Sequence, residues 1–566
     1  MLLSPRMRRL LLAAVAAALV APVQAYAADP ILPLGEVPVG AHCTGLTVIR
    51  GTDVSSFDVE ILDVIGAERA QSARILVRVS GPAVDATGVG PGFSGSPVLC
   101  TGADGVPRTI GAIAETIGEF GGKTVLVTPI EAMLAQRPDP APALPDFPGA
   151  RPLSAPLTIS GLRPALAASF VAAARKAGQV LISSPAGARV RFAPVTLVPG
   201  SAVVVGEASG DISVGALGTV TYVDGPDVYL FGHQMDDAGR RSLFLQDAYV
   251  HTVINNPLAV DDVATYKLAS PGNDLGTITS DGPSGVVGVL GAPPPSFPLR
   301  VTARDLRTGR ETSTLTQIAD EGDVGRPSGI SPLGLAGAAA VAEAAGGILP
   351  GAPSRQTGDM CVKVTLRELR DPLRFCNSYA VEGLVPNSLA GAAATDMSAA
   401  VQLLDSYRFA TLHPTDVQVG LRARTGVAQA FITGATAPSH IRRGQTLRIR
   451  LRLHHTQTGA RTTQTIRVPI PRSTPRGQHT LRIVGTPADV GGNPDDPGDL
   501  SVVFEEQDSG ENQGARSLTE LRSAFKALGR ISGVTVSIGT ALEHEVFRDP
   551  RLRITGRARV LVTIRR

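Results

Sequence analysis

Between residues 28 and 137 the apolar positions fall in short β-branched runs. LTVIRG begins at Leu46, FDVEILDVI at Phe57, ARILVRVS at Ala73 and KTVLVTPI at Lys123. Runs of this length, bounded by turn residues, predict strands. The pattern breaks from 138 to 163, where prolines at 138, 140, 142, 145 and 148 sit among alanines. That composition suits an extended connector. Pro164 to Gly178 has the apolar spread of a helix, with Pro164 near its start. Strands resume at QVLIS, from Gln179, and continue to about 305.

The stretch from 306 to 420 is mixed. It predicts an alanine-rich helix near 335–345, a hairpin carrying Cys361 and Cys376, and a helix from about Asn387 to Thr411. Alternation returns at 421. Leu447, Ile449, Leu451 and Leu453 share one face of a strand, and Arg448, Arg450 and Arg452 the other. TQTIRVPIP and HTLRIVG continue that pattern, so a β-sandwich is expected. SLTELRSAFKALG, residues 517–529, reads as a capped helix, with two strands after it.

Glycine and proline together make up about a fifth of the 566 residues, and tryptophan is absent. This favours many short strands and turns over long helices, in more than one domain. Residues 1–27 read as a secretory signal. Arg6, Arg8 and Arg9 supply its charged region, Leu10 to Val20 its apolar region, and Ala25-Tyr26-Ala27 its cleavage site. The apolar run is too short to span a membrane comfortably. Leu333 to Leu349 carries Glu343 and four glycines and reads as a small-residue helix or hinge.

Removing the signal takes the formal charge from +3 to zero, with 50 basic and 50 acidic residues left. A nucleic-acid partner is therefore not expected. The charge is nevertheless uneven. Leu421 to Ile483 holds twelve arginines, four histidines and no acid, and an acidic stretch follows from Asp489 to Glu511. Either the acidic stretch neutralises a solvated sheet face, or that face meets an anionic cell-envelope component. Four cysteines in an exported chain predict disulfides. They permit three connectivities. Local pairing joins Cys361 to Cys376, about fifteen residues on, and leaves Cys43 with Cys100. No C-x-x-C pair suggests zinc, and the Asp489…Asp499 loop lacks the calcium-loop pattern. No metal or organic cofactor is expected.

The candidate chemistry centres on Gly92-Phe93-Ser94-Gly95-Ser96-Pro97. It reads G-x-S-G-S-P, one letter from the G-x-S-G-G-P around the nucleophile of chymotrypsin-like serine peptidases. A serine attacks a carbonyl when it projects from a tight turn, with a base within hydrogen-bond reach and N–H groups facing the oxyanion. The glycines allow backbone geometry that a side chain blocks, and Pro97 restricts the exit.

The flanks extend this likeness. Leu32 to Leu134 includes "LPLGEVPVGAHCTGLTVIRG" and "VSGPAVDATGVGPGFSGSPVLC". Pro199 to about Leu299 includes "GTVTYVDGPDVYLFGHQMDDAG" and "YKLASPGNDLGTITSDGPSGVVGVLG". These two blocks, about a third of the chain, resemble the SpoIVB peptidase family of bacterial serine peptidases. The resemblance implies Ser94 as nucleophile, His233 as general base, and the N–H groups of Gly92 and Ser94 as the oxyanion site. It also implies a chymotrypsin-like pair of β-barrels with the active site at their junction.

Two departures stand out. In the family's namesake the histidine segment precedes the serine segment and follows a PDZ domain. Here the order is reversed and no PDZ-like segment is apparent. The namesake also has an aspartate about one strand upstream of the serine, where this chain has Val79-Ser80-Gly81-Pro82. The nearest acid is Asp85. Either a Ser–His dyad operates, or the third acid is Asp58, Asp236 or Asp237. Ala41-His42-Cys43 imitates the A-H-C of trypsin-like enzymes, but only about fifty residues separate it from Ser94. That is too few for a barrel and half of the next.

The expected protein is thus mainly β. Residues 1–27 are the signal and 28–305 the peptidase domain, divided into a serine half (28–137), a connector and helix (138–190) and a histidine half (191–305). A mixed region, 306–420, and a β-sandwich-like domain, 421–566, follow. The expected function is that of an exported serine endopeptidase acting on a protein or peptide. The competing expectation is a cell-envelope binding or scaffold protein that keeps the peptidase fold without turnover.

Overall fold

The computed structural model describes residues 29–566 except 67, 119–120, 137–148, 154–155, 185–191, 237, 257–264, 325–330, 350, 352, 383–387, 487–499, 505–513, 539–541 and 550. The signal segment, Asp237, Asn387, the proline run of the connector and all acids of the Asp489–Glu511 stretch lie outside the described residues. Strand accounts for 52% of the chain and helix for 16%, so the mainly β expectation holds.

The first six strands form a closed barrel. They are β1 (His42–Val48), β2 (Val54–Ile65), β3 (Arg74–Ser80), β4 (Pro97–Thr101), β5 (Pro107–Ile117) and β6 (Thr124–Pro129). Pairing runs β1-β2-β3-β6-β5-β4 and returns to β1. Alternation along the strands turns Phe57, Val59, Ile61, Ile75, Val77 and Val79 into one core. The Cys43–Cys100 disulfide ties β1 to β4. Helix α1 (Ile130–Leu134) then leads to β7 (Ala150–Pro152), β8 (Leu157–Ser160), helix α2 (Pro164–Lys176) and β9 (Leu181–Ser183). The expected connector therefore contains two short strands, because Ala150–Pro152 finds an open edge on β5 and Leu157–Ser160 one on the next barrel.

A second set of six strands repeats the first. It comprises β10 (Ala202–Gly210), β11 (Ser213–Asp224), β12 (Asp227–Leu230), β13 (Gly239–Asn255), β14 (Thr265–Gly282) and β15 (Gly285–Leu290). Pairing runs β10-β11-β12-β15-β14-β13 and returns to β10. Numbered within each set, both orders are 1-2-3-6-5-4. The two halves are topological copies.

The sheet does not stop at residue 305. It continues from β10 through β17 (Glu311–Ala319), β16 (Ser296–Asp305), β20 (Pro414–Thr425), β18 (Arg355–Leu366) and β19 (Leu373–Glu382). Helices α3 (Pro332–Ile348) and α4 (Ser388–Asp405) share one core with these strands and with α2. The expected boundary at 305 thus cuts the β16–β17 hairpin, and that at 421 falls within β20. Hydrophobic periodicity marks strands without marking which sheet they join. Of the two alternatives expected at Leu333–Leu349, a helix or a hinge, the structure has the helix, a core element buried on nearly every side.

The last module contains β21 (Gln429–Thr436), β22 (His440–Arg442), β23 (Thr446–His455), β24 (Arg461–Pro469), β25 (Gly477–Thr486), helix α5 (Leu518–Ala527), β26 (Gly533–Ile538), β27 (Leu542–Arg548) and β28 (Arg553–Arg565). Three strands, one more than expected, follow α5. Ser517 caps α5 through the Glu520 N–H, and Glu520 returns the bond to the Arg516 N–H. Leu521 and Phe525 of α5 enter the α3–α4 core. Arg530 grips Asp396 of α4 at 2.6 and 2.8 Å, with Tyr379 and Asn377 on the same carboxylate. Arg448 stands directly opposite Arg467, and Arg482 opposite Arg559, all pointing outward.

Cys361 and Cys376 are bonded across β18 and β19. Both disulfide expectations therefore hold, and two disulfides fit an oxidising environment. No helix among the described residues is long and apolar enough to cross a membrane.

A chain ending at residue 305 is expected not to fold cooperatively. It would strip β17, α3 and α4 from Phe170, Leu299 and Val301, which are all buried. Urea unfolding followed by circular dichroism checks this, and a sharp transition for residues 29–305 would overturn it.

Candidate active site

Ser94 lies in the turn between β3 and β4, the third and fourth strands of the first barrel. His233 lies between β12 and β13, the third and fourth strands of the second. The two expected residues thus occupy equivalent loops of the two copies, and both loops face the seam between the barrels.

The seam is built by the G-T-V-T-Y segment of β11. The Thr219 N–H donates to the Ser94 carbonyl at 2.8 Å, and the Thr219 hydroxyl to the Gly92 carbonyl at 3.0 Å. The Thr221 hydroxyl donates to the Gly95 carbonyl at 2.8 Å. Three carbonyls of the serine turn are therefore held by one strand of the other barrel. Gly95 has φ 88°, and a Cβ there would meet the Thr219 carbonyl oxygen at 2.0 Å and the Phe231 nitrogen at 2.5 Å. Only glycine fits. Gly218 makes room for the Phe231 ring in the same way.

Phe231 is the only non-glycine residue with positive φ, 67°, among the described residues. It immediately precedes Gly232-His233. Such backbone strain persists where surrounding contacts enforce it. Here the Thr128 hydroxyl of β6 donates to the Gly232 carbonyl at 2.6 Å, and Phe231 is buried in the second barrel. On the other side Asp281, at the corner between β14 and β15, accepts from the N–H groups of Met235 and Asp236 at 2.7 Å each. Asp236 in turn pairs with the buried Arg241, which Glu321 also holds.

His233 Nδ1 lies 2.6 Å from the Gln234 carbonyl. That contact makes Nδ1 the protonated nitrogen and leaves the Nε2 lone pair free to accept. Burial pushes the ring below its ordinary pKa of 6.5, against the opposing pull of the Gln234 backbone and Glu115. At neutral pH the ring is uncharged. The Nε2 atom of His233 and the Oγ of Ser94 are both buried, and neither has a hydrogen-bond partner. The two are not bonded to each other, and their residues are 4% and 0% exposed.

Around the Ser94 turn, the Gly95 N–H donates to the Ile113 carbonyl and the Ser96 N–H to the Phe93 carbonyl. Among the described residues no acceptor takes the N–H groups of Gly92 or Ser94, the pair expected to face an oxyanion.

Of the acids weighed for the third position, Asp237 lies outside the described residues. Asp58 is exposed on β2, Asp85 pairs with Lys123, and Asp236 is held by Arg241. His42 is exposed opposite Glu60 and is not at the seam. The acid whose charge acts on the His233 ring is Glu115 of β5, locked to the buried Arg74 at 2.7 Å. Glu115 and Asp281 went unrecognised because, although both lie within the two blocks, neither belongs to the G-x-S-G-S-P or the F-G-H segment. Each reaches the histidine loop from a strand distant in sequence. Lys267 of β14, whose N–H donates to the Pro91 carbonyl, is a third unforeseen neighbour.

No family model matches the chain, and no curated protein proves similar enough to count as a relative.

Gly95→Ala should destabilise the fold by about 3 kcal/mol, combining left-handed backbone strain with overpacking at the seam. Thr221→Val should cost about 1–3 kcal/mol by orphaning the Gly95 carbonyl. Urea midpoints measure both. Wild-type stability in Gly95→Ala would contradict the close contact with Phe231.

Proposed function

We propose that the chain is an exported serine endopeptidase of the SpoIVB type, with Ser94 as nucleophile and His233 as general base. The observation that carries this reading is the equivalence of the two loops. Two copies of one six-strand barrel present a serine and a histidine at the same topological position, each facing the other copy. As the Ser94 Oγ–C bond forms, its proton passes to His233 Nε2, and the N–H groups of Gly92 and Ser94 receive the oxyanion. Collapse breaks the C–N bond, the amine leaves with the proton from His233, and water then hydrolyses the acyl-serine by the reverse route. Asp281 holds the histidine loop through its backbone, and the Gln234 carbonyl sets the tautomer. Export, with cleavage near Ala27, agrees with the two disulfides. The arginines standing opposite one another on the last module, with no acid paired to them among the described residues, suit an anionic envelope component, since like charges so placed repel.

A second reading is favoured by one observation, the burial of both side chains without a bond between them. A cell-envelope binding protein that keeps the fold but not the turnover would look the same. A fluorophosphonate probe separates the two. Under the peptidase reading it labels Ser94, and labelling is lost in Ser94→Ala and falls at least a thousandfold in His233→Ala. An unlabelled wild-type protein would favour the binding reading.

The pH dependence follows from burial of the ring. Neutral His233 is the active form, and its pKa lies below 6.5. Labelling should therefore stay high as pH falls to 6.5 and decline only at lower pH. An acid-side decline, on lowering the pH, centred above 6.5 would rule out His233 as the base.

A further inference from the structure

Behind the Ser94 turn lies a lysine that the proposed reaction does not use. Lys267 is 2% exposed. Its Nζ donates to the Thr47 hydroxyl at 2.6 Å and to the Thr219 hydroxyl at 3.3 Å, and sits 4.5 Å from the centre of the Phe93 ring. Ser96 Oγ donates to the same Thr47 hydroxyl at 3.0 Å. The side chain runs directly beneath the turn, since a Cβ on Gly92 would stand 2.9 Å from Lys267 Cβ. The ammonium is thus one hydroxyl away from the Gly92 carbonyl and touches Phe93, the residue between the two N–H groups that face the oxyanion.

Among the described residues its surroundings are uncharged. β1 offers Thr47, β11 offers Thr219, the turn offers Gly92 and Phe93, and β13 places Val253 opposite in register. His251 of β13 is engaged by Ser270 Oγ at 2.9 Å. Burial alone lowers the amine, to about 7. A buried cation without a counter-ion is costly to keep. Hydroxyls and a ring face supply only part of what water would, and a methionine would fill the space without that cost.

We propose that Lys267 is a positioning residue for the Ser94 turn, whose ammonium supplies positive charge behind the oxyanion site. This rests on the serine-peptidase reading. The charge acts in a water-excluded seam through the Gly92–Ser94 backbone, where a fixed cation strengthens the N–H dipoles as negative charge develops. Loss of the proton above neutral pH removes that charge while leaving the hydroxyl contacts able to re-form with the neutral amine. The serine turn therefore carries two titrations, His233 on the acid side and Lys267 on the alkaline side.

Fluorophosphonate labelling of Ser94 across pH 5 to 9 tests this in the full-length protein. Wild type should show a plateau, with a fall of about tenfold as pH rises through 7, less than the 10²–10³ lost with a direct oxyanion donor. Lys267→Met should label about tenfold more slowly at pH 6.5 and show no alkaline fall. Lys267→Arg keeps its charge and should also lose the fall. Labelling without an alkaline fall in wild type, or a fall that survives in Lys267→Met, would overturn the inference and leave the serine assignment standing. No labelling of Ser94 at any pH would sink both. The lysine's titration is read separately by stability. Between pH about 7 and 10.5 the unfolded chain carries a proton that the folded one lacks. Wild-type stability relative to Lys267→Met should thus rise with pH across that window and be flat below it. A difference that does not change there would show that Lys267 keeps its proton, and would end the proposal.

Discussion

Three hydrogen bonds from one strand hold the serine turn in place. Thr219 and Thr221 belong to β11 of the second barrel, and the carbonyls they satisfy belong to residues 92, 94 and 95 of the first. Those carbonyls are buried, so leaving them unpaired would cost about 1–3 kcal/mol each. Two consequences follow. The barrels cannot separate without exposing the turn, and the turn cannot form its shape without the second barrel. This explains why the G-x-S-G-S-P and G-T-V-T-Y segments occur in one chain, as neither is complete alone. Glycines at 95 and 218 serve the same contact, one by admitting the Thr219 carbonyl and the other by admitting Phe231.

The strands, the helix at Pro164 and both disulfides were legible in the sequence because each is a local signal. Alternating apolar residues mark a strand wherever it goes. A disulfide expectation needs only compartment and spacing. The pairing of strands was not legible, since β16 gives no sign that its parallel neighbour, β20, lies more than a hundred residues away. The boundary at 305 failed for that reason. The resemblance ended there, while the sheet continued with strands of the same composition. Similarly, Ser94 and His233 could be selected from motifs, but Glu115, Asp281 and Lys267 could not. They sit in ordinary strand positions, and burial at the seam is what gives them importance. Charge that matters at a site comes from whichever strand happens to pass, and sequence distance carries no trace of it.

The modules beyond residue 305 are fastened to one another by polar as well as apolar contacts. Asp396 receives Tyr379, Asn377 and Arg530, joining α4, β19 and the start of the last module in one buried network. Four hydrogen bonds converging on this one carboxylate favour one arrangement of these elements over sliding alternatives. The long sheet and this network together make the region after 305 part of the scaffold that presents the seam.

For the proposed peptidase, reversal of the serine and histidine segments is of little chemical consequence on this geometry. The two barrels have the same strand order, and each places its reactive loop after its third strand. A reaction at the seam senses which loop bears the hydroxyl and which the imidazole, not which barrel was synthesised first. What reversal does change is the connection between barrels. Here the chain leaves β6 through α1, β7, β8 and α2 before entering β10, and β7 adds to β5 close to Glu115. The Leu153 backbone, next to β7, therefore reaches the His233 ring, and the connector becomes part of the wall that buries it. Burial of the base keeps it neutral, and burial of the lysine keeps its proton labile. In a seam with so few charged groups in contact with either, dehydration is the main force that tunes both, and access of water to the seam becomes the variable on which the site's chemistry turns.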